Sequence, residues 1–472
     1  MRAAWAVWRR RVPAVTVMAG AACLVGAGPA AAVQDTAVHC RTQSLQHAID
    51  AAPSGATLRV AGTCLGNFTI SKDLTLIGLR DAVLDGNQAD STVTVAGTVQ
   101  VQLDKLTITN GSALSGGGIH NNGATVTLDH STVRGNSAGR SGGGIFNDNG
   151  GTATLKSSTV SNNTAGDGGG IYNNGGTLTL KSSTVRDNDG DNEGGGIFNY
   201  TGGTATLNDS TVRSNAANGG GGIVNYSDAT ATLNDSTVNN NSAEVGGGIG
   251  NSGELKLDRS TLERNSAGIG GGIENGGGKV TLNHSKVRDN KAAAGLGFGG
   301  GIENGGGKVT LIDSTVSNNT AAAGVGGGID NVFGTVTLID STVSDNTADL
   351  GGGIANTGGG GTVTLDHSTV SNNTAKGGGG GGFYNSGGAL TLKNSTVERN
   401  TASGGFGGGI YNTVGGGTVT LDHSTVHNNT AKNDGGGIYN EGGAVTLLND
   451  AQVRENHPDN CAGPSPVPGC TS

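Results

Sequence analysis

The feature that most constrains this chain is a unit of roughly 26 residues, repeated from Gly116 to Asn456. One copy runs Ser158-Thr159-Val160-Ser161-Asn162-Asn163-Thr164-Ala165, then Gly168-Gly169-Gly170-Ile171-Tyr172-Asn173, then Thr177-Leu178-Thr179-Leu180. The isoleucine of Gly-Gly-Gly-Ile returns at Ile119, Ile145, Ile171, Ile197, Ile223, Ile249, Ile273, Ile302, Ile329, Ile354, Ile410 and Ile438, and Phe383 replaces it once. A fixed period of this length marks stacked repeats, none of which buries a core alone.

Each unit holds three short strand candidates separated by turn residues. Side chains alternate along a strand, so Leu178 and Leu180 share one side, while Ile171 and Asn173 share a side that Tyr172 faces away from. No unit contains a helical run or the Trp-Asp mark of a propeller blade. Three strands and three turns close one coil of a parallel β-helix, with a column of Ile, Leu and Val as its core. The expected class is therefore all-β, a single-stranded solenoid of about 15–16 coils.

Asparagine gives a second periodic signal. One series includes Asn147, Asn173 and Asn199, and another includes Asn136, Asn163 and Asn188. Asn tolerates left-handed backbone, and its amide can bond the same Asn one coil away, so both series read as stacked ladders at turns. The 92 glycines, several per coil, fit tight turns or close coil-to-coil approach. The Gly-Gly-Gly stretches are not phosphate loops, since no GxxxxGK[ST] accompanies them.

Residues 1–32 read as an export signal, with Arg2, Arg9, Arg10 and Arg11 before an apolar stretch and Ala30-Ala31-Ala32 at the cleavage site. Removing its four arginines leaves 24 basic against 37 acidic side chains, a formal net charge of −13 rather than −9. An acidic chain without a basic cluster is a poor match for nucleic acid or anionic lipid. No later apolar run is long enough to span a bilayer. The expectation is a secreted or extracellular monomer, surface-associated at most, with no transmembrane span.

Four cysteines remain, Cys40, Cys64, Cys461 and Cys470. A dozen coils at ~4.8 Å each put the two ends of the stack more than ~55 Å apart. A disulfide needs Cα atoms within ~7 Å. That leaves Cys40–Cys64 and Cys461–Cys470, one staple per end. In front of the repeats, Leu45, Ala48, Ile49 and Ala52 fall at helical spacing, with Thr42 as the expected N-cap and Pro53 as the stop. The resulting division is 33–111 for the cap and irregular first coils, 112–457 for the repeats, and 458–472 for a disulfide-closed tail.

The Gly-Gly-Gly-Ile segments, paired with Val-X-X-Asn as in Val160–Asn163, resemble the polymorphic outer-membrane-protein repeat over residues 112–457. The resemblance implies a right-handed β-helix of the pectin-lyase-like kind. Secreted right-handed β-helix proteins ending in Asn-X-Pro-Asp-Asn-Cys are similar too, matched here by Asn456-His457-Pro458-Asp459-Asn460-Cys461. Outer-membrane members carry an autotransporter barrel, and this chain stops at Ser472 without one, so secretion or loose surface association is expected. The family implies adhesion or surface display for some members and polysaccharide chemistry for others, and the fold alone does not choose.

One position breaks the repeat. Between Ile and Asn the chain carries His120, Phe146, Tyr172, Phe198, Val224, Gly250, Glu274, Glu303, Asp330, Ala355, Tyr384, Tyr411 and Tyr439. Read as an outward-facing column, it places three carboxylates ~5 Å apart between two aromatic runs. Phe146, Tyr172, Phe198, Tyr384, Tyr411 and Tyr439 then become ligand-contact candidates, stacking on sugar rings. Glu274, Glu303 and Asp330 become candidates for acid–base cleavage of a glycoside or for holding Ca²⁺. Lys279 and Lys308, reaching round the turn, are expected to meet uronate charges. The acid-rich stretch Asp187–Glu193 reads as incidental surface charge, and the Asp-His pairs at 129–130, 366–367 and 422–423 as tolerant outward positions. The reading is an adhesion or carbohydrate-binding scaffold contacting an extracellular polysaccharide or cell-surface component, with a polysaccharide hydrolase or lyase as the alternative.

Overall fold

The computed structural model describes residues 35–293 and 297–471. The export signal lies outside the described residues. The chain winds into a right-handed parallel β-solenoid whose 16-stranded sheet counts one strand per coil, from Phe68–Ile70 to Cys461–Ala462. This agrees with the coil count expected from the repeats.

One coil shows how the sequence closes. Thr177–Lys181 forms the first face, Thr184–Arg186 the second, Asp189–Glu193 a lateral strip and Ile197–Tyr200 the third. Each pairs in parallel with its copy in the next coil, Leu180 opposite Leu207, Val185 opposite Val212 and Ile197 opposite Ile223. Leu178, Leu180, Val185 and Ile197 are fully buried, so the inward residues of the three faces make one apolar column. That column is where hydrophobic burial stabilises the stack.

The corners are held by buried polar ladders. Between the first two faces, Ser182 takes a left-handed φ of 49°. The next residue, Ser183, donates its N–H to Ser210 Oγ at 3.2 Å and its own hydroxyl to the Lys181 carbonyl at 2.9 Å. This serine ladder is absent from the sequence reading. At the next corner Asn188 accepts from both the N–H and the amide of Asn163, at 3.1 and 2.9 Å. The Asn173 amide in turn donates to Asn199 Oδ1 at 2.8 Å and to the Gly176 carbonyl at 2.9 Å. Both asparagine series are thus structural. Ladders satisfy corner groups that would otherwise be buried unpaired.

Glycine is required at the third corner, between the lateral strip and the third face. A Cβ on Gly195 would stand 2.1 Å from the Ala216 carbonyl oxygen, in the coil beside it. A Cβ on Gly194 would meet Phe198 Cβ at 2.7 Å, so the first glycine of each triplet rests against the residue after isoleucine. This packing decides where the site-bearing column points.

Both ends are closed. Helix α1, Leu45–Ala51, seals the front with buried Leu45 and Ile49. Its cap is Ser44, which accepts from the His47 N–H, and not the expected Thr42, whose hydroxyl donates to the His39 carbonyl. The cap falls two residues later than expected because Ser44 lies one residue before Leu45, in the extended geometry an N-cap needs. Pro53 holds Ala52 extended and ends it, as expected. The disulfides are Cys40–Cys64 and Cys461–Cys470, with Cα separations of 4.9 and 6.3 Å. At the rear, Asn460 Oδ1 accepts from Asn456 N–H and Nδ2 at 3.1 and 3.2 Å, ending the asparagine ladder.

Candidate functional site

The column between Ile and Asn is in continuous register. Glu274 pairs opposite Glu303, Glu303 opposite Asp330, Phe146 opposite Tyr172, and Tyr384 opposite Tyr411. Its side chains do not stand out in solvent as a free ridge, which corrects the outward-facing reading. Tyr172 and Phe198 are buried, and Glu303 and Asp330 are 7% and 0% exposed. The glycine corner folds the end of the lateral strip over them. A second ladder runs along that strip, in which Val245, Ile269, Phe298, Val325 and Leu350 are bridged in order. Near the rear the two ladders touch directly, Phe406 lying 4.4 Å from the Tyr439 ring.

Burial changes the chemistry of the three acids. Desolvation, with the neighbouring Glu274 and Asp330 charges second, pushes Glu303 up to about 8. Desolvation likewise raises Asp330 to about 7, against a lowering hydrogen bond from the Thr357 hydroxyl at 3.3 Å. Asp330 Oδ2 is buried with no partner, so it is the atom of the trio placed to carry a proton or meet a cation. At neutral pH the middle of the trio holds protons that ordinary carboxylates would have lost.

Glu274 differs from the other two because the column in front of it is empty. Gly250 precedes it in register and has no side chain. On the lateral strip Gly219 stands opposite Glu193 and is equally bare. The two gaps open a cavity of ≈ 300 Å³, lined among others by Glu193, Val224, Tyr226, Gly250, Ser252 and Glu274. Glu193 leans over Gly219, where a Cβ would meet its Cγ at 3.3 Å. Glu274 leans over Gly250 from the opposite side, with Oε2 3.9 Å from where a Cβ would be. Desolvation and then the Glu193 charge raise Glu274 to about 7. Desolvation, then Asp167, raises Glu193 as well. Neither carboxyl has a hydrogen-bond or ion-pair partner among the described residues.

Tyr226 supplies the aromatic wall. It is 41% exposed and is supported from behind by Tyr200, with ring centroids 5.0 Å apart, and by Phe198 at 6.2 Å. The aromatic run His120, Phe146, Tyr172 and Phe198 continues forward from it with centroid spacings of 5.3, 5.5 and 4.8 Å. At the other end Tyr384 and Tyr411 lie 5.6 Å apart, Tyr411 and Tyr439 5.5 Å apart, and the Tyr411 hydroxyl donates to Glu441 at 2.7 Å. Edge-to-face neighbours at these distances stabilise one another. The front rings are thus occupied with each other, and Tyr226 is the one that faces the hollow.

Sequence reasoning missed Glu193, Tyr226 and the two gaps. The residue before each glycine triplet, set beside the residue after each isoleucine, brings Glu193 and Gly219 into the same corner as Gly250 and Glu274. The other candidates stay outside it. Lys279 pairs with Glu254 at 3.3 Å on the first face. In the Asp-His pairs the histidines are exposed and the aspartates half-buried, with ring-to-carboxylate contacts of 2.6, 2.9 and 2.9 Å. Asp104 joins Asp129 and His130 in a group whose ligand atoms lie within 4.8 Å, but Lys105 already pairs with Asp104 at 3.4 Å.

The fold is a right-handed parallel β-solenoid built from glycine-cornered coils. The chain matches the right-handed beta helix region family at residues 79–238 and 167–335, together more than half of its length, and it belongs to that family. Residues 423–441 match the Chlamydia polymorphic membrane protein repeat. No curated protein and no solved structure matches the chain. A β-helix carrying this repeat and two disulfides is consistent with a surface or extracellular protein of the autotransporter-like kind. No helix among the described residues is long and apolar enough to cross a membrane.

Proposed function

We propose that this protein is an extracellular or surface-displayed scaffold that binds polysaccharide along the glycine corner. The observation that carries the reading is the hollow between Glu193 and Glu274, walled by Tyr226. Specific carbohydrate sites combine an aromatic or apolar wall with a few convergent polar groups in a concave setting. Ser252 and the two carboxyls offer those polar groups, and Val224 and Tyr226 the wall. The regular repeats on either side give a long polymer a rigid edge to lie against.

Retention of the full chain on immobilised polysaccharides tests this reading. Wild-type protein is expected to be retained, and Tyr226→Ala to weaken binding about tenfold, ~1.4 kcal/mol. Gly250→Leu, which fills the hollow, is expected to abolish it. Absence of retention on every matrix overturns the proposal. The Glu193–Glu274 pair also supports a second reading, a hydrolase with Glu274 as its acid, because a raised carboxyl beside another is the usual acid–base arrangement. New reducing ends released from the matrix and lost in Glu274→Gln are the result that favours it.

A further inference from the structure

We infer that the Glu193–Glu274 hollow is a site for a primary ammonium group carried on a sugar ring, so that the polymer held here is one with free amino groups. The inference rests on the polysaccharide-binding reading and names its substrate class.

Three observations carry it. Two carboxyl groups lean into one hollow from opposite sides, over Gly219 and Gly250. No lysine, arginine or histidine lines that hollow, and neither carboxyl is paired among the described residues. The chain therefore brings two like charges together without supplying the countercharge. Burial first, and the neighbouring acids second (Asp167 for Glu193, Glu193 for Glu274), raise the proton affinity of both, so nothing on the chain offsets their charge.

A ligand ammonium completes the arrangement, donating to both carboxylates in charge-assisted hydrogen bonds. A neutral sugar leaves both acids unpaired, and a uronate adds a third negative charge to them. The acidic balance of the whole chain, 37 acidic against 28 basic side chains, draws the same sign of ligand. The remaining lining explains the ring rather than a bare amine. Tyr226, Val224 and Val245 provide apolar surface for a ring face, and Ser252 in the same lining offers a hydroxyl to those of the ring. At ≈ 300 Å³ the hollow is at the small end of ligand pockets, the size for one residue of a polymer rather than several.

Calorimetric titration of the full chain with glucosamine oligomers, N-acetylglucosamine oligomers, galacturonate oligomers and cadaverine tests it. Glucosamine oligomers are expected to bind at least tenfold more tightly than the acetylated ones, and galacturonate oligomers not at all. Glu274→Gln and Glu193→Gln, each folded by circular dichroism, are expected to lose at least tenfold for glucosamine oligomers and little for acetylated ones. Equal binding of both oligomers, or unchanged affinity in both variants, overturns the inference while leaving the polysaccharide reading in place. Cadaverine binding as tightly as the sugar overturns the role given to the ring. No binding of any saccharide overturns the inference together with the reading beneath it.

Discussion

Asn319→Ala is expected to destabilise the middle coils by about 3 kcal/mol, the cost of leaving several buried polar groups without partners. Asn319 is fully buried. Its Oδ1 accepts from the Asn290 N–H and from Asn290 Nδ2, both at 3.0 Å. Its own amide donates to the Val287 carbonyl at 2.9 Å and to Asn346 Oδ1 at 3.0 Å. Alanine strips four bonds at once and replaces none. The neighbouring Asn318 is exposed in the left-handed region at φ 55°, so Asn318→Gly keeps its backbone and is expected to change stability by less than about 1 kcal/mol. Urea unfolding of both variants makes the comparison, with amide exchange at Asn290 as the local reporter. Equal stability of the two variants contradicts a supporting role for the ladder.

Raising the pH from 5 to 9 is expected to destabilise the same region through its buried acids. Glu303 is held at about 8 in the fold, and the unfolded chain restores it to the ordinary carboxylate range near ~4.3. Between those values the folded state binds the extra proton. Stability therefore falls as pH rises through that window and levels off above the folded value. Glu274 and Asp330, each at about 7, add to the same slope. One unit of difference is worth about 1.4 kcal/mol, so Glu303→Gln is expected to recover ~2 kcal/mol or more at pH 9 and nothing at pH 4. Urea melts of wild type and variant across this range give the answer. Parallel curves mean that Glu303 is not held neutral by its surroundings. Repeating the melt at pH 9 with Ca²⁺ tests the cation role, since an ion held by these carboxylates reverses the loss.

Much of this architecture is legible in the sequence because repetition fixes register. Once Gly-Gly-Gly-Ile recurs, Glu274, Glu303 and Asp330 have to be neighbours, and the structure pairs them so. The disulfides follow from the length of the stack alone. The direction of the column was not legible. Alternation along Ile171–Asn174 shows that Tyr172 faces away from the core, but not that a glycine corner folds the lateral strip back over it. For the same reason Glu193, at the end of a loop that reads as plain surface charge, joins a residue three coils further on. The site arises where two columns lose their side chains side by side, at Gly219 and Gly250, and each loss looks unremarkable in its own column.

The most direct measurement of whether this corner is the ligand face of a binding scaffold is amide hydrogen exchange on the full chain, with and without saturating glucosamine oligomer. Added protection confined to Asp189–Glu193, Asn218–Tyr226, Val245–Ser252 and Ile273–Gly276 is the expected result. Protection centred on the first face, around Thr177–Lys181 and its copies, or no protection anywhere, contradicts it.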